Sequence, residues 1–388
     1  MSLLWASVAA LLIALVGCGY LIAAALLVDR FMRQRGRASP ATAPGVTVLK
    51  PLHGDEPGLL DNLASFCTQD YPSRVQIICG VQDPGDRAVA VVGRLRERLP
   101  AHEIDLVIET KLHGLNRKVS NLVNMALSIR HDVVVLSDSD IRVEPTYLRE
   151  VVAALERPGV GGVTCLYYGL PVTGLWARLS ALGINAHFLP SVVAGVSLGL
   201  AHPCFGSTVA LRRSTLVEIG GFAAFADSIA DDYAIGHALR VHGGTVAIPP
   251  FAIAHVCGQT SARQLWLHEL RWARTIRSVD PAGYAGSIIA HPLPWALIGI
   301  VLGAGSAALW PAVGLAVAAI MCRMALLWRV EQAGVLPPQP YWLVPARDLF
   351  SFAVFVVSFL GRGVSWKGHR YRMLAGGGWA ADRGSHTR

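Results

Sequence analysis

The segment LLWASVAALLIALVGCGYLIAAALLV, Leu3–Val28, carries no charged side chain. A bilayer core needs about 20 consecutive apolar residues in a helix, because a helix satisfies all its backbone hydrogen bonds internally. The run therefore predicts a membrane-spanning helix over residues 1–29. It is too long for a signal peptide, and no basic stretch precedes it. Arg30, Arg33, Arg35 and Arg37 follow at once. Positive charge stays on the cytoplasmic side, so the chain enters the cytoplasm through a basic linker, residues 30–45. The composition agrees: only 15% of residues are charged and 53% are hydrophobic, whereas soluble domains carry about 25% charged residues.

From Val46 to Gly169 short apolar runs alternate with segments of helical spacing. VTVLKPL, VQIICGVQD, IDLVIE, DVVVLSD and VGGVTCLYYG read as strands, with helices between them. That alternation predicts an α/β fold with a mostly parallel sheet. Ligands of such sheets lie beyond the carboxyl ends of the strands, where Asp83 and Asp138 fall.

Apolar stretches return at Gly174–Leu200, Pro292–Trp310, Ala312–Trp328 and Leu343–Leu360. The first is interrupted by Pro190 and four glycines and reads as a pair of interfacial helices. The next two read as a membrane hairpin broken near Pro311. The tail is basic, with Arg362, Lys367, Arg370 and Arg372. The division is thus a catalytic domain over 46–285, including the interfacial segment 174–200, and C-terminal membrane helices with a basic tail over 286–388. Few paired polar residues are expected in the apolar segments, which argues against a transporter.

VVVLSDSDIRV ends an apolar run on Asp138 and Asp140. Residues two apart in an extended chain point the same way, so both carboxylates could meet a hard cation such as Mg²⁺ or Mn²⁺ on a diphosphate. An Asx-type turn would use the same residues. Asp83 could cap the following helix or bind a nucleotide. Asp231 and Asp232 precede a helical segment; one could cap it, leaving the other for general-base work. HELRWARTIR offers Arg271 to phosphate and Trp272 as a flat wall. His255 ends the apolar run FAIAH and reads as a core or surface histidine. The seven cysteines are odd in number and make no C-x-x-C pair, so they read as buried thiols in a reducing compartment. The net charge of +8 suits an anionic membrane or a phosphate-bearing substrate. No zinc-finger or RNA-binding motif points to nucleic acid.

The ordered motifs KPLHGDEPGLLDNL, QDYP, VQDPGD, GLNRKVSNL, SDSDIRV, ADDYAIG, ELRW and SWKGHRYR resemble the ceramide glucosyltransferase family, and within it the bacterial hopanoid-biosynthesis branch. The resemblance implies a GT-A (Rossmann-like) domain, a UDP-sugar donor, a lipid acceptor, inversion at the anomeric carbon and a divalent metal, Mg²⁺ or Mn²⁺. It assigns Asp83, Lys118, Asp138 and Asp231 to the donor, Asp138, Asp140 and His255 to the metal, and Asp232, Arg271 and Trp272 to catalysis. His268 stands where the family has Gln or Arg. The implied reaction is transfer of N-acetylglucosamine to bacteriohopanetetrol, with glucose transfer to ceramide as the alternative and a non-catalytic nucleotide-binding scaffold as a reading of another class. The implied location is the bacterial inner membrane, multi-pass, with the domain facing the cytoplasm.

Overall fold

The computed structural model describes residues 2–35, 40–334, 336–361, 363–366, 369–373 and 379–381. Arg37, Arg362 and Lys367 lie outside the described residues, as do the side chains of Arg370 and Arg372. The uncharged N-terminal run is one helix, α1 (Ser2–Met32). One side of it packs inward through Ala14, Leu21 and Val28, and the other exposes Trp5, Leu12 and Leu26.

The domain then alternates as β1 (Val46–Pro51), α2 (Leu59–Cys67), β2 (Val75–Val81), α3 (Arg87–Arg98), β3 (Glu103–Ile108), α4 (Arg117–Ala126), β4 (Val133–Leu136), β5 (Ile141–Arg142), α5 (Tyr147–Leu155), β6 (Val160–Val163) and β7 (Leu166–Pro171). The helix α6 (Leu175–Ser197) intervenes before β8 (Val209–Arg212), α7 (Asp231–Val241), β9 (Thr245–Ala247), β10 (Ala252–Cys257) and α8 (Ala262–Val279). Seven strands form one sheet in the order β3-β2-β1-β4-β8-β6-β9. The β3-β2-β1-β4 half is parallel, and β8 enters antiparallel beside β4. The continuous apolar runs are explained by burial on both faces: every residue of β1 and β4 is buried. A smaller sheet, β5-β10-β7, stands beyond the end of β4. Its pairing of His255 with Ile141 brings β10 alongside the residues that follow Asp138.

The segment expected to be a pair of interfacial helices is one continuous helix, α6, with a π-helical turn at Ile184–Phe188. Pro190 does not break it, because the wider π turn precedes the proline and accommodates it. Although α6 is long and apolar enough to cross a membrane, it is docked on the domain. The Asn185 side chain accepts from the Gly169 N–H at 2.8 Å and donates to its C=O at 3.1 Å, and so pairs the open edge of β7. A Cβ on Gly169 would lie 2.4 Å from the Ala181 Cα, so only glycine permits this approach.

After α8 come α9 (Pro292–Leu302), α10 (Leu309–Gly334) and α11 (Val344–Ser358). Pro311 lies in the first turn of α10, where its missing N–H is harmless, so the hairpin is not broken there. The break falls instead between Leu302 and Leu309. The α9 helix is too short to span alone and meets Pro281–Ala290 at a 63° bend. Strands β11 (Gly363–Trp366), β12 (His369–Met373) and β13 (Trp379–Ala381) follow. The Tyr371 hydroxyl donates to the Leu115 carbonyl at 3.3 Å, and Arg277 donates to the Gly361 carbonyl at 2.8 Å. The tail therefore lies on the same side as the domain. An even number of crossings must separate them, and α10 and the helix Tyr341–Ser358, which ends in α11, are each long and apolar enough to supply one.

Paired polar groups are present among the apolar helices, contrary to expectation. Arg323 and Asp348 are each 1% exposed and stand 3.1 Å apart. Arg347 of α11 also pairs, at 2.6 Å, with Glu269 of the domain helix α8. Buried ions persist only when compensated in this way.

Candidate active site

One cavity of about 1160 Å³ opens at the carboxyl end of the parallel strands and gathers Asp83, Lys118, Asp138, Asp140, Asp231, Asp232, His255, Arg271 and Trp272. The short β4 delivers Asp138 and Asp140. The N-terminus of α4 delivers Lys118, with Asn116 as its cap: the Asn116 side chain accepts from the Val119 N–H at 3.1 Å. The first turn of α7 delivers Asp231 and Asp232. On α8, His268, Arg271 and Trp272 fall on one face because residues three and four apart are neighbours on a helix.

Lys118 ties three of these elements together. Its ammonium is 2.8 Å from Asp138 Oδ1 and 3.0 Å from Asp231 Oδ2. Burial disfavours its charge, but Asp138, Asp231 and Asp232 outweigh burial and hold the lysine protonated. Asp231 is buried and also accepts from Asn116 Nδ2 at 3.3 Å. It therefore serves as a counter-ion and not as the helix cap considered above; the cap position is Ala230.

Asp232 accepts from the Gly206 N–H at 2.9 Å and from the Tyr233 N–H at 2.8 Å. Burial, with Asp231 next to it, pushes its carboxyl up to about 6. A carboxylate with that value is poised to take a proton near neutrality.

Asp140 Oδ2 is 3.4 Å from His255 Nε2. Burial would lower His255, but Asp140 raises it further, to about 9. Asp140 Oδ1 and His255 Nδ1 are buried without a hydrogen-bond partner, and orphaned polar atoms of this kind call for a further ligand. Among the described residues no three His, Cys, Asp or Glu side chains converge as a ready metal cluster. Asp140 and His255 supply two donors of suitable chemistry, whereas Asp138 faces Lys118. A pair of protein ligands completed by phosphate oxygens and water is the usual habit of Mg²⁺ sites.

Asp83 is exposed on the cavity rim, and its Oδ1 accepts from the Gly85 N–H at 2.8 Å. The capping role considered for it falls to Asp86, which accepts from the Ala88 N–H at 2.8 Å. Burial lowers Arg271, while Asp138, Asp140 and Asp232 oppose that fall, which places the guanidinium in the field of all three acids. The His268 ring packs 4.4 Å from Trp272, and burial beside Arg271 keeps it neutral. The odd residue of the motif is thus a wall for the tryptophan.

Lys50 is a part of the site that the sequence reading missed. It is wholly buried below the two aspartates, donates to the Asp138 carbonyl and lies 4.0 Å above the Phe66 ring. Burial pushes it down to about 8. A lysine closing an apolar strand was the available signal.

A Rossmann-like sheet that collects acids, a lysine and an Arg-Trp pair at its carboxyl edge, joined to apolar helices long enough to cross a membrane, has the arrangement of a GT-A-class protein. The chain belongs to glycosyl transferase family 21, whose model matches residues 9–379. Ceramide glucosyltransferase 1 of Caenorhabditis elegans is 29% identical over 208 residues, 53% of this chain and 44% of that protein. Ceramide glucosyltransferase 3 of the same organism is 24% identical over 386 residues, 94% of this chain and 82% of that protein. The first match thus spans less than half of that relative's length. Among solved structures, a mannosyltransferase from Pyrobaculum calidifontis in complex with GDP-Man and Mn2+ is 22% identical with a TM-score of 0.49, covering 90% of this chain and 99% of that one.

Proposed function

We propose that the protein transfers a sugar from a UDP-sugar to the hydroxyl of a membrane lipid, with inversion at the anomeric carbon. The observation that carries this reading is the mixed lining of the cavity. It includes Lys118, Asp138, Asp140, Asp232 and Arg271 together with the apolar Phe188, Val192 and Leu200 of α6 and its following loop, and Leu267, Ile276 and Val279 of α8. A polar diphosphate and an apolar chain can therefore meet in one chamber.

Asp140 and His255 would hold a divalent ion, Mg²⁺ or Mn²⁺, with Asp138 beside them. Such an ion supplies Lewis-acid charge to a diphosphate leaving group. Asp232 takes the proton of the acceptor hydroxyl. The hydroxyl oxygen forms the new bond to the anomeric carbon from the face opposite UDP. The bond to the diphosphate breaks, and its electrons leave with UDP. Arg271 faces the acids and stabilises the charge that develops there. Asp83, on the rim, is placed for the nucleoside, and Trp272 for the sugar or acceptor.

The curated relatives named above favour glucose as the sugar and ceramide as the acceptor. The hopanoid motif resemblance supplies the contrasting pair, UDP-N-acetylglucosamine with bacteriohopanetetrol. We place the domain on the cytoplasmic side of a bacterial inner membrane, a reading supported by the arginines that follow α1. Membranes holding the protein, incubated with each donor and each acceptor, decide the matter by mass spectrometry of the lipid product. Glucosylceramide is expected. A hopanoid product would reverse the acceptor reading, and donor binding without any lipid product would leave only a nucleotide-binding scaffold.

A further inference from the structure

The π turn of α6 sits at an unusual junction. Arg323 of α10 donates from Nη1 to the Ala186 carbonyl at 2.8 Å and from Nη2 to the Ala290 carbonyl. Asp348 of α11 lies 3.1 Å from Arg323 Nε and 2.9 Å from His187 Nε2. Two apolar helices thus grip consecutive residues of the π turn with buried polar groups. The next residue, Phe188, lines the cavity. Its ring stacks on Tyr167 at 4.7 Å and meets Phe205 edge-on at 5.4 Å. Phe205 precedes Gly206, whose N–H holds Asp232.

We propose that Arg323, Asp348 and His187 are positioning residues for the acceptor side of the cavity. They fix the π turn, and the π turn sets where Phe188 meets the lipid beside Asp232. None of the three lines the cavity. A π turn is rare, and such turns are frequent at functional sites. Two buried charges and a histidine on one turn are a costly way to hold an apolar helix if packing alone were needed. The inference rests on the lipid-transferase reading above.

The test compares His187→Leu with the double variant Arg323→Met/Asp348→Leu, in full-length detergent-solubilised protein. His187→Leu cuts the link from Asp348 to the turn and leaves the ion pair and the Arg323–Ala186 hydrogen bond intact. The double variant removes both charges together, so no buried ion is left unpaired. Acceptor KM, donor KM and the Kd of UDP are measured for each. Both variants are expected to raise acceptor KM at least about fivefold, roughly 1 kcal/mol, and to leave donor KM and the UDP Kd within twofold. Unchanged acceptor KM in His187→Leu overturns the proposal, even if the double variant fails to fold. So does a parallel rise in donor KM and the UDP Kd, which would mark a general structural role. A wild-type protein that glycosylates no lipid would instead refute the reading on which the inference stands.

Discussion

The ammonium of Lys118 lies 2.8 Å from Asp138 Oδ1, so the first acid of the D-x-D pair already has a cation. The second acid does not share it: Asp140 turns to His255 and keeps one oxygen unpartnered. The two aspartates of one short motif thus carry different electrostatic loads. Asp138 organises the cluster around Lys118, and Asp140 is the one we propose for the metal.

Chelation tests that division. EDTA is expected to abolish transfer, and Mg²⁺ or Mn²⁺ to restore it. Asp140→Asn should raise the metal concentration needed for half-maximal activity more than Asp138→Asn does. Full activity in EDTA, measured by product formation, would remove the metal from the mechanism.

Asp232→Asn should retain UDP-sugar binding and lose about 10²–10⁴-fold in kcat, the usual worth of a general base. Asp231→Asn should instead weaken donor binding, because it removes one of the two carboxylates that hold Lys118. Near-normal turnover by Asp232→Asn, with Asp231→Asn inactive, would exchange the two roles.

The pH profile should report the same residue. Asp232 is raised to about 6, and a base acts only when unprotonated. Activity should therefore be full above that value and fall about tenfold per pH unit below it. A profile flat down to pH 4.5 would contradict the assignment.

Gly206→Ala provides a steric test. A Cβ there would stand 2.6 Å from Asp138 Oδ2 and 3.1 Å from Lys118 Nζ. The contact is closer than real Cβ atoms tolerate, so the Asp138 carboxylate must shift from its place beside Lys118. Donor KM should rise at least about tenfold, roughly 1.4 kcal/mol, with the thermal midpoint nearly unchanged. A normal donor KM would show that the lysine–aspartate pair is dispensable.

Topology can be read by labelling single cysteines in a cysteine-free background. Positions in 46–169 and a reporter fused after residue 388 should react from the same face of the membrane, and that face should be the cytoplasmic one. Labelling from opposite faces would break the parity drawn from Tyr371 and Leu115.

Much of this site was legible because strands announce their ends. The four residues Val133–Leu136 have no polar neighbour until Ser137, so Asp138 could only emerge at the sheet edge. Asp231 and Asp232 stood before a helical pattern for the same reason. Lys50 was harder to read: a lysine closing an apolar run usually marks the point where a strand meets water, and here it turns inward beneath the acids. The π turn was illegible because it differs from an α turn by one hydrogen-bond step, which no residue in INAHF signals. Arg323 and Asp348 lie 25 positions apart, beyond the reach of any periodicity, so their pairing became visible only when two helices were set side by side.

The bond from Tyr371 to Leu115 joins positions 256 residues apart. Tyr371 also forms part of the wall of the cavity that holds the acids. During synthesis the sheet and its carboxylates emerge early, whereas this wall emerges only after α9, α10 and α11 have left the ribosome. A nascent chain that has yet to release those helices thus carries an unfinished chamber, and its wall arrives after them.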